Sequence, residues 1–149
     1  SNDILMASEN KISYYSLLLK ELLNSSFPEL SGDKKFIEQR GQSAAKVYND
    51  AFMAGNTIEQ CNEIAQYVLF EGLHFSKFDT IFKIVCNEFD TIMADEELRP
   101  FALKMMAVSI PVFEQYRITD DFADSQEFEL LYTELTGTIQ IWIEDNGLQ

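Results

Sequence analysis

Apolar residues in this chain return every three or four positions in stretch after stretch, and that spacing commits it to helices. The clearest run is Phe128, Leu131, Tyr132, Leu135, Thr138, Ile139 and Trp142, which draws one stripe along a helix and leaves the opposite face polar. Residues 12–24 carry Tyr14, Tyr15, Leu18, Leu19, Leu22 and Leu23 at the same spacing, and residues 34–53 place Phe36, Ile37, Arg40, Ala44, Val47, Tyr48, Ala51 and Phe52 on one face. Ile58, Cys61, Ile64, Ala65, Val68 and Leu69 form a third stripe; Phe78, Ile81, Phe82, Val85, Cys86 and Phe89 form a fourth. Alternating apolar and polar residues, the mark of a half-buried strand, are almost absent. The most strand-like patch, residues 136–141, lies inside the strongest helical repeat.

The punctuation agrees with the stripes. Asp33, Thr57 and Ser76 each precede an apolar-periodic run, as N-caps do, and Gln60 three residues after Thr57 completes a capping-box pattern. Asp124 or Ser125 is the expected cap of the last helix, with Glu127 placed to answer Asp124. Pro28 closes the first run, while Gly55, Gly72 and Asn146-Gly147 close later ones. Gly41, inside the second run, either marks a close helix contact or has no role. Two prolines complicate the fifth run, which carries Phe101, Leu103, Met106 and Ile110. Asp95-Glu96-Glu97 suit a helix N-terminus, while Pro100 allows a regular helix to begin only near Arg99; Pro111 kinks or breaks it around residues 107–110, leaving 112–116 as a short extension. Residues 117–125 read as the longest loop. The expectation is an all-α fold, a single domain over residues 1–149 built as an array or bundle of six to seven helices around one aromatic-rich core. Residues 1–10 are expected to be flexible or tag-derived, with Ser1 and Asn2 as a tag remnant.

Charge narrows the function classes. The formal net charge is −14 and the pI about 4.3. Nucleic acid is bound by Lys and Arg neutralising phosphates, so direct nucleic-acid binding is disfavoured, and so is an anionic membrane surface. A basic protein remains a suitable partner. No apolar run reaches the length of a membrane span, and residues 4–7 are too short for a signal-peptide core. Cys61 and Cys86 form no CxxC pair, which suits reduced thiols and a cytoplasmic location.

Reactive chemistry finds little to use. His74 is the only histidine. Glu71 and His74 have Glu-x-x-His spacing, but a carboxylate-bridged metal bundle needs two such motifs. A Ser or Cys nucleophile normally needs a base beside it, and the six glycines are isolated, so no phosphate loop or nucleophile elbow is present. Asp120-Asp121-Phe122-Ala123-Asp124 lacks the ligand alternation of a calcium loop. No catalytic, cofactor-binding or metal-ligating residue is assigned, and no cofactor is expected. The informative feature is asymmetry: after Arg117 the chain has eight acids and no Lys or Arg. Asp120, Asp121, Asp124, Glu127, Glu134 and Glu144 are therefore the candidate interaction face, with the three glutamates forming a ridge on the last helix. His74, Phe75 and Phe78 are candidate anchors at a helix junction. The reading is a non-enzymatic interaction or accessory module. The alternatives are an enzyme or small-ligand binder with an aromatic and carboxylate pocket, an acidic nucleic-acid mimic, and a homodimer closing on an apolar face.

Four segments together carry a resemblance: Ser13-Tyr14-Tyr15, Gly72-Leu73-His74-Phe75-Ser76-Lys77-Phe78-Asp79, Asp120-Asp121-Phe122-Ala123-Asp124-Ser125, and Leu131-Tyr132-Thr133-Glu134-Leu135-Thr136-Gly137-Thr138. With them the chain resembles, over residues 11–145, a bacterial family of small acidic helical proteins classed as a domain of unknown function. The resemblance implies a cytoplasmic accessory protein encoded near mobile elements. It brings no activity and no functional residues.

Overall fold

The computed structural model describes the backbone of residues 2–148 and the side chains of residues 7–148. Among them every regular element is helical: α1 (Asn2–Ser26), α2 (Lys34–Met53), α3 (Ile58–Leu69), α4 (Lys77–Glu88), α5 (Asp95–Phe113) and α6 (Glu127–Asn146), with a 3-10 turn at Phe122–Asp124. The all-α expectation holds, with six α-helices. The chain divides into two compact units, Ser1–Leu73 and His74–Gln149, each closing on its own core.

In the first unit α2 lies against both α1 and α3. Its inner face is built from small residues, Gly41, Ala44, Ala45 and Ala51, with Tyr48 among them. Small side chains let helix axes approach closely. Gly41 shows how closely: a Cβ there would collide with Ser16 Oγ and lie 3.2 Å from the Ile12 carbonyl oxygen. Of the two readings of Gly41, close contact is the one realised. Tyr15, Leu19 and Leu23 from α1, and Cys61, Ala65 and Leu69 from α3, complete the core. α1 begins at Asn2, well before the Ile12 start read from its stripe, and Ser1 lies outside the described residues.

Local capping follows the sequence here. Asp33 accepts the Phe36 N–H at 3.1 Å. Thr57 and Gln60 exchange both bonds of a capping box, at 3.1 and 2.9 Å. After α2, Gly55 takes φ +96°; its N–H bonds to the Phe52 carbonyl and that of Asn56 to the Ala51 carbonyl, closing a Schellman motif. α3 lacks a basic residue in its own last turn, and Arg40 of α2 supplies one. Its Nη1 donates to the carbonyls of Leu69 (3.1 Å) and Glu71 (2.8 Å), where the negative end of the helix dipole favours a cation.

In the second unit α4, α5 and α6 pack pairwise. Phe78, Ile81, Ile84 and Val85 of α4 meet Phe101, Ala102, Met105 and Val112 of α5 and Leu131, Leu135 and Ile139 of α6. Two expectations fail. α5 starts at Asp95, where its three acids do stand in the first turn, rather than near Arg99, and it runs through both prolines to Phe113. Both prolines face solvent, so water can take the Glu96 and Ala107 carbonyls that they leave unbonded, while the buried face holds the helix together. The second failure is the cap of α6. Neither Asp124 nor Ser125 fills it; Gln126 stands at that position with no side-chain bond. Burial of Phe122 folds 122–124 into the 3-10 turn, and the Ser125 hydroxyl donates to the Phe122 carbonyl at 2.7 Å instead.

Candidate functional site

The residues before α4 are held by local chemistry. Ser76 accepts the Asp79 N–H at 2.9 Å, and the Thr80 hydroxyl donates to the Ser76 carbonyl at 3.0 Å, which fixes where Phe75 and Phe78 leave the backbone. Phe78 is fully buried and stacks on Phe82 with ring centroids 5.7 Å apart. It is a core residue and offers nothing to a partner. Phe75 remains partly exposed and meets the edges of two rings, Phe122 at 5.4 Å and Phe128 at 6.3 Å. Phe122 and Phe128 meet each other at 6.4 Å, and Tyr116 meets Phe122 at 5.9 Å. These rings tie the segment around His74 to the acidic segment around Asp121, two stretches far apart in sequence. Their meeting leaves a hollow of about 210 Å³ whose lining includes the exposed His74, Phe75, Asp79, Lys83, Ala123 and Phe128.

The acids sit around this aromatic knot. Asp120, Asp121, Asp124, Glu127 and Glu134 are all exposed. Asp121 accepts the Thr119 hydroxyl at 2.6 Å, and Glu134 accepts the Tyr116 phenol at 2.6 Å. That bond, with some burial and the charges of Glu134 and Glu127, pushes the Tyr116 phenol up to about 12. Glu127 and Glu134 therefore face the same phenol. Glu144 does not join them, because it lies about a quarter turn away round α6, and it accepts the Gln140 amide at 3.1 Å. The expected ridge is a pair of glutamates beside an acidic loop, with Glu144 apart from it.

A second acidic flank was not legible in the charge count. The Tyr132 phenol donates to Glu88 at 3.0 Å and accepts from Asn87 at 3.4 Å. Burial first, then Glu88 and the charge of Glu129, raise its pKa, with the Asn87 bond opposing. In sequence Glu88 belongs to a helix with lysines, and only folding brings it to α6. The Tyr132 position on the stripe was visible, but the partner of its hydroxyl was not.

The Cys86 thiol is pushed up by burial and by Asp90 and Asp95, which disfavours the thiolate a nucleophile needs. Among the described residues no three His, Cys, Asp or Glu side chains converge on a metal position. No described helix is long and apolar enough to cross a membrane. Around the knot, Lys83 stands over the Phe128 ring at 5.8 Å, and no ion pair joins the loop acids or Glu127 and Glu134 to a cation among the described residues.

A search of curated proteins finds no match. Among solved structures, the chain is similar to the crystal structure of protein PG0816 from Porphyromonas gingivalis, with a TM-score of 0.86 and 40% identity over 97% of this chain and 98% of that one. The family described as a domain of unknown function, DUF1896, matches residues 7–148. The chain belongs to that family.

Proposed function

We propose that this chain is a non-enzymatic binding module that docks a basic protein on the acidic surface formed by Asp120, Asp121, Asp124, Glu127 and Glu134. The observation that carries this reading is the aromatic knot of Phe75, Phe122 and Phe128. It fixes an acidic loop in place beside a partly apolar hollow, and interfaces gain most from such aromatic anchors while charges set partner choice and encounter rate. In this reading the protein is a cytoplasmic accessory factor, in keeping with the mobile-element setting that its family resemblance implies. The nucleic-acid-mimic form of the reading adds that the same surface competes with DNA for its partner.

The test is retention of proteins from nuclease-treated lysate of the source organism at low and high salt. A basic protein held at low salt, released at high salt, and lost with Asp121→Lys, Glu127→Lys and Glu134→Lys combined supports the reading. Loss with Glu144→Lys as well would reduce it to bulk charge, and a clean lane at both salts would remove it.

A small-ligand reading is favoured by one observation in the first unit. A hollow of about 560 Å³ there is lined by residues including Lys11, Tyr14, Tyr48, Glu59 and Asn62. The Tyr15 phenol donates to Asn62 Oδ1 at 2.8 Å, so the Asn62 amide nitrogen is left to face other partners. A metabolite screen by thermal shift tests it, with Asn62→Ala expected to abolish any ligand-dependent rise in Tm.

A further inference from the structure

The second unit carries another hollow, of about 290 Å³, toward the other end of the α5–α6 pair. Its apolar lining is Met93, Pro100, Phe101 and Trp142, with Leu148 at the edge. Phe101 and Trp142 stand edge to face at 5.9 Å, so the site is formed by two rings already braced against each other. Glu96 and Glu97 flank it on the first turn of α5. Lys104, also lining it, places its ammonium 5.5 Å from the Trp142 ring centre. With two carboxylates and one ammonium the lining is net negative, in a chain of net charge −14.

We infer that this hollow takes one large apolar side chain from a basic protein segment, whose flanking Lys or Arg residues meet Glu96 and Glu97. The volume fits a single side chain and lies at the small end of ligand cavities. The apolar floor selects the anchor, and the carboxylates select its neighbours. An acidic segment would meet both Glu96 and Glu97 and the repulsion of the whole chain. The inference rests on the proposed basic partner and adds a second contact. On α6, Glu127 and Trp142 are fifteen residues apart, which places the anchor site about 22 Å along the helix from the acidic surface.

Trp142 is the only tryptophan, so its emission reports this hollow directly. The intact chain is titrated with three synthetic peptides: an amphipathic Leu/Lys peptide, its Leu/Glu counterpart, and oligolysine. A saturable blue shift with Leu/Lys alone is expected. Glu96→Gln with Glu97→Gln should weaken it roughly three- to tenfold, the range expected of two exposed charge pairs. Glu21→Gln with Glu63→Gln, two exposed acids of the first unit, should change it less than twofold. No shift with Leu/Lys, an equal shift with Leu/Glu or oligolysine, or indifference to the Glu96 and Glu97 changes would overturn the inference. Failure of the acidic surface appears separately, as lysate retention that ignores the charge reversals at Asp121, Glu127 and Glu134.

Discussion

Tyr15 and Gly41 show how single residues set the first core. The Tyr15 phenol is buried and bonded to Asn62, and burial above all, with Tyr48, Tyr14 and Cys61 adding to it, pushes its pKa from 10.0 up to about 12. An unfolded chain gives up that proton near pH 10, while the folded one keeps it to about 12. The stability that the neutral phenol provides is therefore complete below pH 10 and drains away as pH rises toward 12. Tyr15→Phe should cost about 1 kcal/mol at neutral pH, since it leaves the Asn62 oxygen unpaired. It should also flatten the loss of stability between pH 10 and 12, as chemical denaturation across that range would show. Glycines separate by the space around them. Gly137 is helical, with nothing within 4 Å of an added Cβ, so Gly137→Ala should stabilise by up to about 1 kcal/mol. Gly41→Ala gains the same propensity but must displace Ser16 and part α1 from α2. It should fall below Gly137→Ala by about 1–3 kcal/mol in paired denaturant melts. Both glycines were visible in the sequence as helix-interior residues. The difference between them was not, because it depends on which residue of another helix lies opposite.

Helices were legible where a cap and a stripe occupy the same few residues. Asp33, Thr57 with Gln60, and Ser76 close bonds to their third neighbours, and such bonds need nothing from elsewhere in the chain. The α6 cap failed because a distant event decided it: Phe75 and Phe128 bury Phe122, and the turn this forces engages Ser125. α5 failed in the opposite direction. Two prolines argued for interruption, but a continuous buried face from Leu98 to Phe113 outweighs two missing backbone bonds on a wet face. Pro111→Ala should therefore stabilise the protein, by up to about 3 kcal/mol, because it restores a bond to Ala107 in a helix that already has its geometry. A lowered Tm in that variant would mean that the ring contributes packing that outweighs the bond. The candidate site divides along the same line. The loop acids and the Phe75 junction could be named from residue type and spacing. Their convergence through Phe122, the separation of Glu144, and the Glu88–Tyr132 contact all required three dimensions.

At the scale of the molecule, two apolar clusters replace the one core that six similar stripes suggest. The stripes of α3 and α4 look alike, and the connection between them is no longer than that between α1 and α2, so composition does not mark where one cluster ends. Leu135 is fully buried at the centre of the second cluster, and Leu135→Ala should cost about 2–5 kcal/mol. Its effect on amide hydrogen exchange should centre on residues 74–148, whereas Leu19→Ala should act mainly on residues 7–73. A uniform rise in exchange along the chain after either change would show that the two clusters open as one. The acidic surface and the Trp142 hollow both belong to the second unit, so loss of binding in Leu135→Ala at temperatures where α1–α3 persist is the matching expectation.

The aromatic residues are divided unevenly between the units, and this gives the molecule a built-in colour code. Trp142 belongs to the second unit, while the first holds Tyr14, Tyr15, Tyr48 and Tyr67 and no tryptophan. Tryptophan emission during heating therefore follows α4–α6 alone, whereas far-ultraviolet dichroism weighs all six helices together. Two superimposed traces would mean that one transition carries both halves, and an emission curve leading or trailing the dichroism would time the collapse of one half against the other without a single added label.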